Sequence, residues 1–263
     1  MSRFVGDFGV PVTAIATTAA SALAPGAFLT ARWERLAMIN YEVDPALLRE
    51  RVPPGVELDT WSARCFVSMV GFLFLDTRVL GLPIPFHRDF EEVNLRFYVR
   101  RRGAPDGDRR GVVFVKELVP RWAIATVANT VYNERYQSLP MRHRIEWPDD
   151  DARDVEFGWR LGGRWNRLRV AGEGVAAIPS PGSEEEFITE HYWGYAGQRD
   201  GGCVEYRVEH PQWRVWKGAT AELDCDVERL YGREFVSVLA AKPTSAFIAE
   251  GSPVVVRRGV RIA

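Results

Sequence analysis

The sequence predicts a mainly β protein of the α+β kind, in which many strands and a few short helices build a closed or half-closed barrel. Three observations carry this. Apolar runs with a period of two recur along the whole chain. They are separated by Gly, Pro and Asp clusters of the kind that tight turns need. The chain also holds 9 Trp, 8 Tyr and 14 Phe, and aromatic side chains pack well on pleated surfaces. Closure follows because a closed sheet has no free edges to invite aggregation.

The elements follow in chain order. Residues 1–26 are rich in Ala and Thr and read as a loosely ordered leader. An "ALA" in this stretch resembles a signal-peptidase site, but Arg3 is the sole basic residue before it and Asp7 follows. From residue 27 to 263 no linker, repeat or low-complexity block interrupts the composition, so this span reads as one domain. "DPALLRERVPPG" predicts a short helix with Asp44 as N-cap, Pro45 in the first turn and Pro53-Pro54-Gly55 as its stop. "RCFVSMVGFLFLD" is apolar on both faces and predicts a strand buried on both sides. "FEEVNLRFYV" and "GVVFVKELV" flank the turn "GAPDGD" and predict a hairpin. "VPRWAIATVANTVYNERY" fits either a strand or a short helix.

Two further strands, "MRHRIEW" and "VEFGWRLGGRWNRLRVAG", surround the acidic turn "PDDDARD". Ser183 and Glu186 form a capping box that opens a helix at "SEEEFITEHYWGY". "CVEYRVEHPQWRVWKGATAELD" alternates like a strand pair, and "DVERLYG" is a short helix closed by Gly232. "FVSVLAAK" and "SPVVVRRGVRI" supply the final strands.

Charge and composition exclude several functions. The net charge is −1 with both signs interspersed, so the basic surplus that nucleic-acid binding requires is missing. No segment reaches the roughly 20 apolar residues of a membrane span. Cys65, Cys203 and Cys225 form no C-x-x-C pair, which favours a reducing, cytoplasmic location over a disulfide framework. His87, His143, His191 and His210 are far apart. With no ligand-spaced His/Cys cluster, no P-loop and no G-x-G-x-x-G after a strand, the sequence implies no metal and no cofactor.

Chemistry concentrates on "FEEVNLRFYV". Phe90, Glu92, Asn94, Arg96 and Tyr98 share one face of this strand, and Glu91, Val93, Leu95, Phe97 and Val99 share the other. The polar row has two readings. It is the wet face of an antiparallel sheet, or it lines the inside of a ligand-holding barrel. In the second case Arg96 offers a planar fork to a substrate carboxylate. Glu92 then serves as general base and Asn94 donates to a carbonyl oxygen. Glu117 and Arg121 are candidate polar lining of the same cavity. His87, in the loop before the strand, is a candidate proton carrier. His143 alternates with Met141 and Ile145 and reads as a core histidine. His191 ends the capped helix and reads as structural, with the helix dipole favouring its charged form.

Five stretches carry a wider resemblance: "FLTARWERLAMINYEVDPALL", "VPPGVELD", "SMVGFLFLDTRVLGLPIPFHRDFEEVNLRFYV", "EHYWGY" and "FIAEGSPV". They closely resemble the domain-of-unknown-function 2071 family, the YqjF-like proteins, over about residues 27–263. That family is in turn similar to the acetoacetate decarboxylase superfamily. The resemblance implies a β-barrel with a central cavity, a small-molecule ligand and homo-oligomers. It also implies a catalytic glutamate near Glu91 or Glu92. The superfamily's chemistry uses a lysine made nucleophilic by a neighbouring cation, a device for which acetoacetate decarboxylase is the standard example. Here the matching stretch is "KELVPRW". Lys116 stands at the family's arginine, while Arg121 and Trp122 stand at its lysines. Arginine keeps its charge and forms no imine under ordinary conditions. Acetoacetate decarboxylation is therefore not expected, and a Schiff-base reading would have to fall on Lys116.

Overall fold

A computed structural model describes residues 26–83, 87–120, 136–148 and 152–263. Most of the expected leader and nearly all of the ambiguous segment after Pro120 lie outside these residues, as does the centre of the acidic turn. The strands are β1 (Ala27–Val43), β2 (Glu57–Leu58), β3 (Cys65–Val79), β4 (Leu82–Pro83), β5 (Phe90–Ala104), β6 (Gly107–Val119), β7 (Tyr136–Ser138) and β8 (Met141–Glu146). They continue as β9 (Arg153–Leu161), β10 (Arg164–Ala177), β11 (Trp193–Gly197), β12 (Cys203–Glu209), β13 (Val215–Asp224), β14 (Ser245–Arg257) and β15 (Val260–Arg261). Among the described residues three short helices interrupt them: α1 (Glu184–Thr189), α2 (Val227–Tyr231) and α3 (Val236–Ala240). The protein is thus mainly β, as the alternation predicts.

All the described strands join one hydrogen-bonded network. Its pairings run β12–β11–β6–β5–β3–β1–β14, and β14 pairs back onto β12 through Val256 and Val208. The network is not a simple barrel, because it also continues past β14 through β13, β10, β9 and β8. These outer strands pack across β1, β3 and β5. A Cβ on Gly71 of β3 would collide with Phe157 of β9, so glycine there lets the two layers close. As a result β3 and β5 are buried on both faces. One face belongs to a core with Phe157, Trp159, Leu168 and the helix residues Leu230, Phe235 and Leu239. The other face looks into the strand circuit, with Phe66, Phe72, Tyr98, Phe187 and Trp213.

The long strands bend where their register slips. β1 slips against β3 between Glu34 and Ala37, and Arg35 takes a left-handed backbone (φ 59) there. An extra residue of this kind kinks a strand and raises its twist. Opposite Glu34, Gly251 of β14 (φ 87) lies so close that any Cβ would strike the Trp33 carbonyl. The β5–β6 hairpin turns at Pro105-Asp106, between the paired residues Ala104 and Gly107.

Several expectations are corrected. "FVSVLAAK" is not a strand but the turn and helix around α3. Phe235 and Leu239, one helical turn apart, are both buried in the core, so the spacing of four overrides the alternation. Residues 45–51 form two 3-10 turns, broken at buried Leu48, although Asp44 does cap them by accepting from the Ala46 N–H at 2.8 Å. β12 and β13 are both strands but pair with other partners. His143 is exposed, because β8 ends the sheet path and pairs with β9 alone. Its Nδ1 donates to Glu91 Oε1 at 2.8 Å.

Candidate functional site

The polar row on β5 is buried. Glu92, Asn94 and Arg96 are 2%, 1% and 9% exposed, and all three line a cavity of about 140 Å³ inside the strand circuit. An apolar cavity of roughly 150 Å³ accepts a benzene-sized guest.

A bulge on β6 completes this polar patch. Arg96 pairs with Phe114, but its neighbour Leu95 pairs with Lys116, so Val115 is the extra residue. The slip puts Phe114 and Glu117 on the same, cavity-lining side despite their odd spacing. Glu117 lies opposite Asn94 and is fully buried. Lys116 then falls with Leu118, on the side of the larger core, and its Nζ lies 3.4 Å from Gln137 Oε1. The structure therefore places the candidate Schiff-base lysine outside the cavity. His87 is half-buried and is not among the described lining residues. Arg121 lies outside the described residues.

Hydrogen bonding divides this face of β5 into two parts. Toward its C-terminal end Tyr98 is satisfied: its hydroxyl and Ser68 Oγ are 2.6 Å apart, and Ser68 donates to Asn40 Oδ1 at 2.6 Å. Asn40 Nδ2 in turn donates to Ser245 Oγ at 2.9 Å. The row itself is not fully satisfied. Asn94 Nδ2 donates to Glu92 Oε1 at 3.0 Å, and Arg96 Nη2 donates to the Ile188 carbonyl at 3.3 Å. Asn94 Oδ1 and Arg96 Nε are buried without a partner.

Sequence reasoning missed His191 as a lining residue. Helix α1, capped by Ser183, ends at Thr189, and the chain then carries His191 into the cavity wall. The ring packs against Tyr98 at 4.7 Å and edge-on to Phe187 at 5.5 Å. Neither ring nitrogen has a hydrogen-bond partner. Nε2 lies 3.8 Å from Asp59 Oδ2, and Asp59 also accepts from Arg110 Nε at 2.7 Å. Burial pushes the His191 pKa down to about 4, and the nearby Asp59 offsets this only in part. The expectation of a charged histidine at the helix end is thus reversed, because desolvation outweighs the dipole of a single short helix. For Asp59 burial acts upward, but His191 and Arg110 outweigh it and bring the carboxyl to about 2. The available signal was the run "EHYWGY" behind a capping box, which alone does not say which way the ring turns.

The rest of the wall is aromatic. Trp33 lies 5.2 Å from Phe72 and 5.6 Å from Phe74, and Phe74 stacks on Phe90 at 4.8 Å. His210 lines the same space, stacks on Trp213 at 4.2 Å and donates from Nδ1 to the Pro211 carbonyl. Burial lowers its pKa too. Among the described lining residues Arg96 is thus the permanent cation, facing Glu92 and Glu117. No group of three or more His, Cys, Asp or Glu among the described residues is placed to hold a metal. No helix among them is long and apolar enough to cross a membrane.

Comparison with known proteins agrees with this architecture. Residues 30–253 match the family described as DUF2071, an uncharacterized conserved protein. "Uncharacterized protein YqjF" of Bacillus subtilis (strain 168) is 39% identical over 74 residues, a match covering 28% of this chain and 31% of that protein's length. Acetoacetate decarboxylase from Legionella pneumophila is 15% identical with a TM-score of 0.60, covering 91% of this chain and 88% of that one. The enduracididine biosynthesis enzyme MppR complexed with pyruvate is 14% identical with a TM-score of 0.64, over 98% of this chain and 99% of that one. An acetoacetate decarboxylase-like enzyme from Sphingomonas wittichii RW1 is 13% identical with a TM-score of 0.60, over 91% and 94%. These likenesses establish the fold.

Proposed function

This chain belongs to the DUF2071 family, and from that premise we propose that it is a small-molecule-binding protein of barrel-like form whose interior takes a ligand bearing a carboxylate or a carbonyl. The observation that carries this reading is the set of buried polar atoms without partners on one cavity wall: Asn94 Oδ1, Arg96 Nε and His191 Nδ1. A buried polar atom left unpaired costs about 1–3 kcal/mol. A ligand that satisfies several of them recovers that cost on binding. The Arg96 guanidinium suits a carboxylate, which it meets with parallel N–H donors. That a protein of the same fold is complexed with pyruvate supports a small oxo acid as the ligand class.

The same wall supports acid–base chemistry on the bound ligand. Glu92 and Glu117 sit on neighbouring strands with Asn94 between them. Both carboxyls are almost fully buried and line the same cavity, within reach of one bound ligand. A pair of carboxyls so placed supports proton transfer to or from a bound carbonyl compound. His191, neutral at physiological pH with Nε2 toward ionised Asp59, presents Nδ1 as a further acceptor. The experiment is a thermal-shift titration with pyruvate and larger 2-oxo acids, with Arg96→Met in parallel. The reading expects stabilisation of the parent protein that is lost in the folded variant. An identical shift in both removes Arg96 from the site.

A further inference from the structure

A second pocket, of about 530 Å³, borders the cavity and is walled largely by cations: Arg101, Arg109, Arg207, Arg257, Arg258 and Arg261. Arg207, Arg258 and Arg261 are exposed, so the pocket opens to water. The β5–β6 hairpin sets Arg101 directly opposite Arg109, a pairing of like charges that is unfavourable by itself. Glu205 of β12, 3% exposed, holds the two together by accepting from Arg101 Nη1 at 3.1 Å and from Arg109 Nη1. Arg257 donates to Glu209, Arg261 to Asp200, and Arg109 also to Asp106. The six guanidiniums thus meet four side-chain carboxylates, and Arg258 has no ion-pair partner among the described residues. Trp193 and Tyr206 line both this pocket and the inner cavity, so their rings are the shared wall. The Tyr206 ring lies across Gly194, where any Cβ would strike it. Arg109 lies over the half-buried Trp193 ring at 4.0 Å.

Resting on the proposed carboxylate site, we infer that the arginine-lined pocket is the outer site through which a small carboxylate reaches the cavity, with Trp193 and Tyr206 as the gate between them. A guanidinium meets a carboxylate with parallel N–H donors, and an exposed one holds it weakly because water and salt screen the pair. Weak capture suits entry, since it concentrates the ligand at the mouth without trapping it. Clustered charge of one sign also raises the rate at which an oppositely charged ligand arrives. Behind the two rings the next guanidinium is Arg96, buried and less screened, so the carboxylate passes from a weaker partner to a stronger one. Phe114 also divides the cavity from a neighbouring pocket, but that pocket carries only Arg51 and Arg199 against Glu50.

Stopped-flow binding of pyruvate to the full chain tests this, read by the fluorescence of the cavity residues Trp33 and Trp213. In the parent protein the association rate constant is expected to fall as salt rises, because the reach of an exposed charge shrinks to about 3 Å at 1 M. Arg207→Gln combined with Arg258→Gln changes two exposed side chains. It should lower that rate about three- to tenfold at low salt, leave the dissociation rate unchanged and converge with the parent at high salt. Tyr206→Ala should speed association and dissociation together, moving the dissociation constant less than either rate. Trp193→Leu gives the same reading should that variant not fold. Equal association rates in the parent and the double variant at low salt overturn the entry site. The carboxylate site then still stands, because pyruvate binds and Arg96→Met still abolishes it. A difference that persists at 1 M salt overturns the entry site as well, since a field would be screened there. Rates that respond to Phe114→Ala but to neither gate variant move the passage elsewhere and overturn it too. No pyruvate binding by the parent protein overturns both readings.

Discussion

The two faces of β5 are equally buried and entirely different. On one, Val93, Leu95, Phe97 and Val99 are all at 0% exposure within the larger core. On the other, Glu92, Asn94 and Arg96 are almost as completely withdrawn from water, yet the row holds a guanidinium nitrogen and an amide oxygen with no partner. Burial therefore does not separate the stabilising face from the candidate functional one. Satisfaction does: a packed apolar face needs nothing more, whereas buried polar atoms such as Asn94 Oδ1 and Arg96 Nε are costly unless something completes them. The Tyr98–Ser68–Asn40 chain, a few residues along the same face, shows what a completed buried polar row looks like.

The largest effect is expected on the packed face. Phe97→Ala should lower the unfolding free energy by about 3–5 kcal/mol, the usual cost of emptying a large core site. Urea denaturation measures it, and ligand affinity in the folded fraction should stay unchanged. A loss of less than about 1 kcal/mol would mean the two faces are not mechanically distinct in the way described.

The next effect belongs to the cavity face and appears through pH. His191 has a folded-state pKa of about 4, below its ordinary value of 6.5. The unfolded chain therefore binds more protons, and stability is lost as pH falls from about 6.5 to about 4, by about 3 kcal/mol in all. His191→Gln should flatten denaturation curves across that window. Asp59 acts lower: its depressed value of about 2 gives stability that is present above pH 3.8 and lost as pH falls toward 2. An unaltered slope between pH 6.5 and 4 in His191→Gln would show that the ring is not held neutral by burial.

Arg96→Met sharpens the contrast further. It should change the stability of the unliganded protein less than Phe97→Ala does. It should also erase the roughly 2.7 kcal/mol that an oxo acid at about a hundred times its dissociation constant adds to the parent. The smallest effect is expected at Glu91, which shares the apolar face in sequence but sits near the strand's start beside exposed His143. Glu91→Gln should cost less than about 1 kcal/mol, as partly exposed pairs do. It should also lower the His143 pKa, which the Glu91 carboxylate raises; an NMR titration reads this directly.

Much of this was legible beforehand. The β3 and β5 strands, the β5–β6 hairpin, the Ser183 cap and the alternation on β5 all follow from local rules of periodicity, turn chemistry and capping. The errors share one cause. At α3, His143 and His191 the outcome depends on what packs from elsewhere in the chain. "KEL" likewise leaves open whether Lys116 or Glu117 faces inward, because a bulge has no sequence mark here.

The sequence by itself determined that β5 is a strand with charge on one side and apolar residues on the other, since side-chain direction alternates whatever surrounds the strand. Only the tertiary structure decided that the charged side faces inward. An alternating strand looks the same on a wet sheet and in a cavity wall. The difference is made when β14 pairs back onto β12 and His191 arrives from far along the chain to close the space over Arg96.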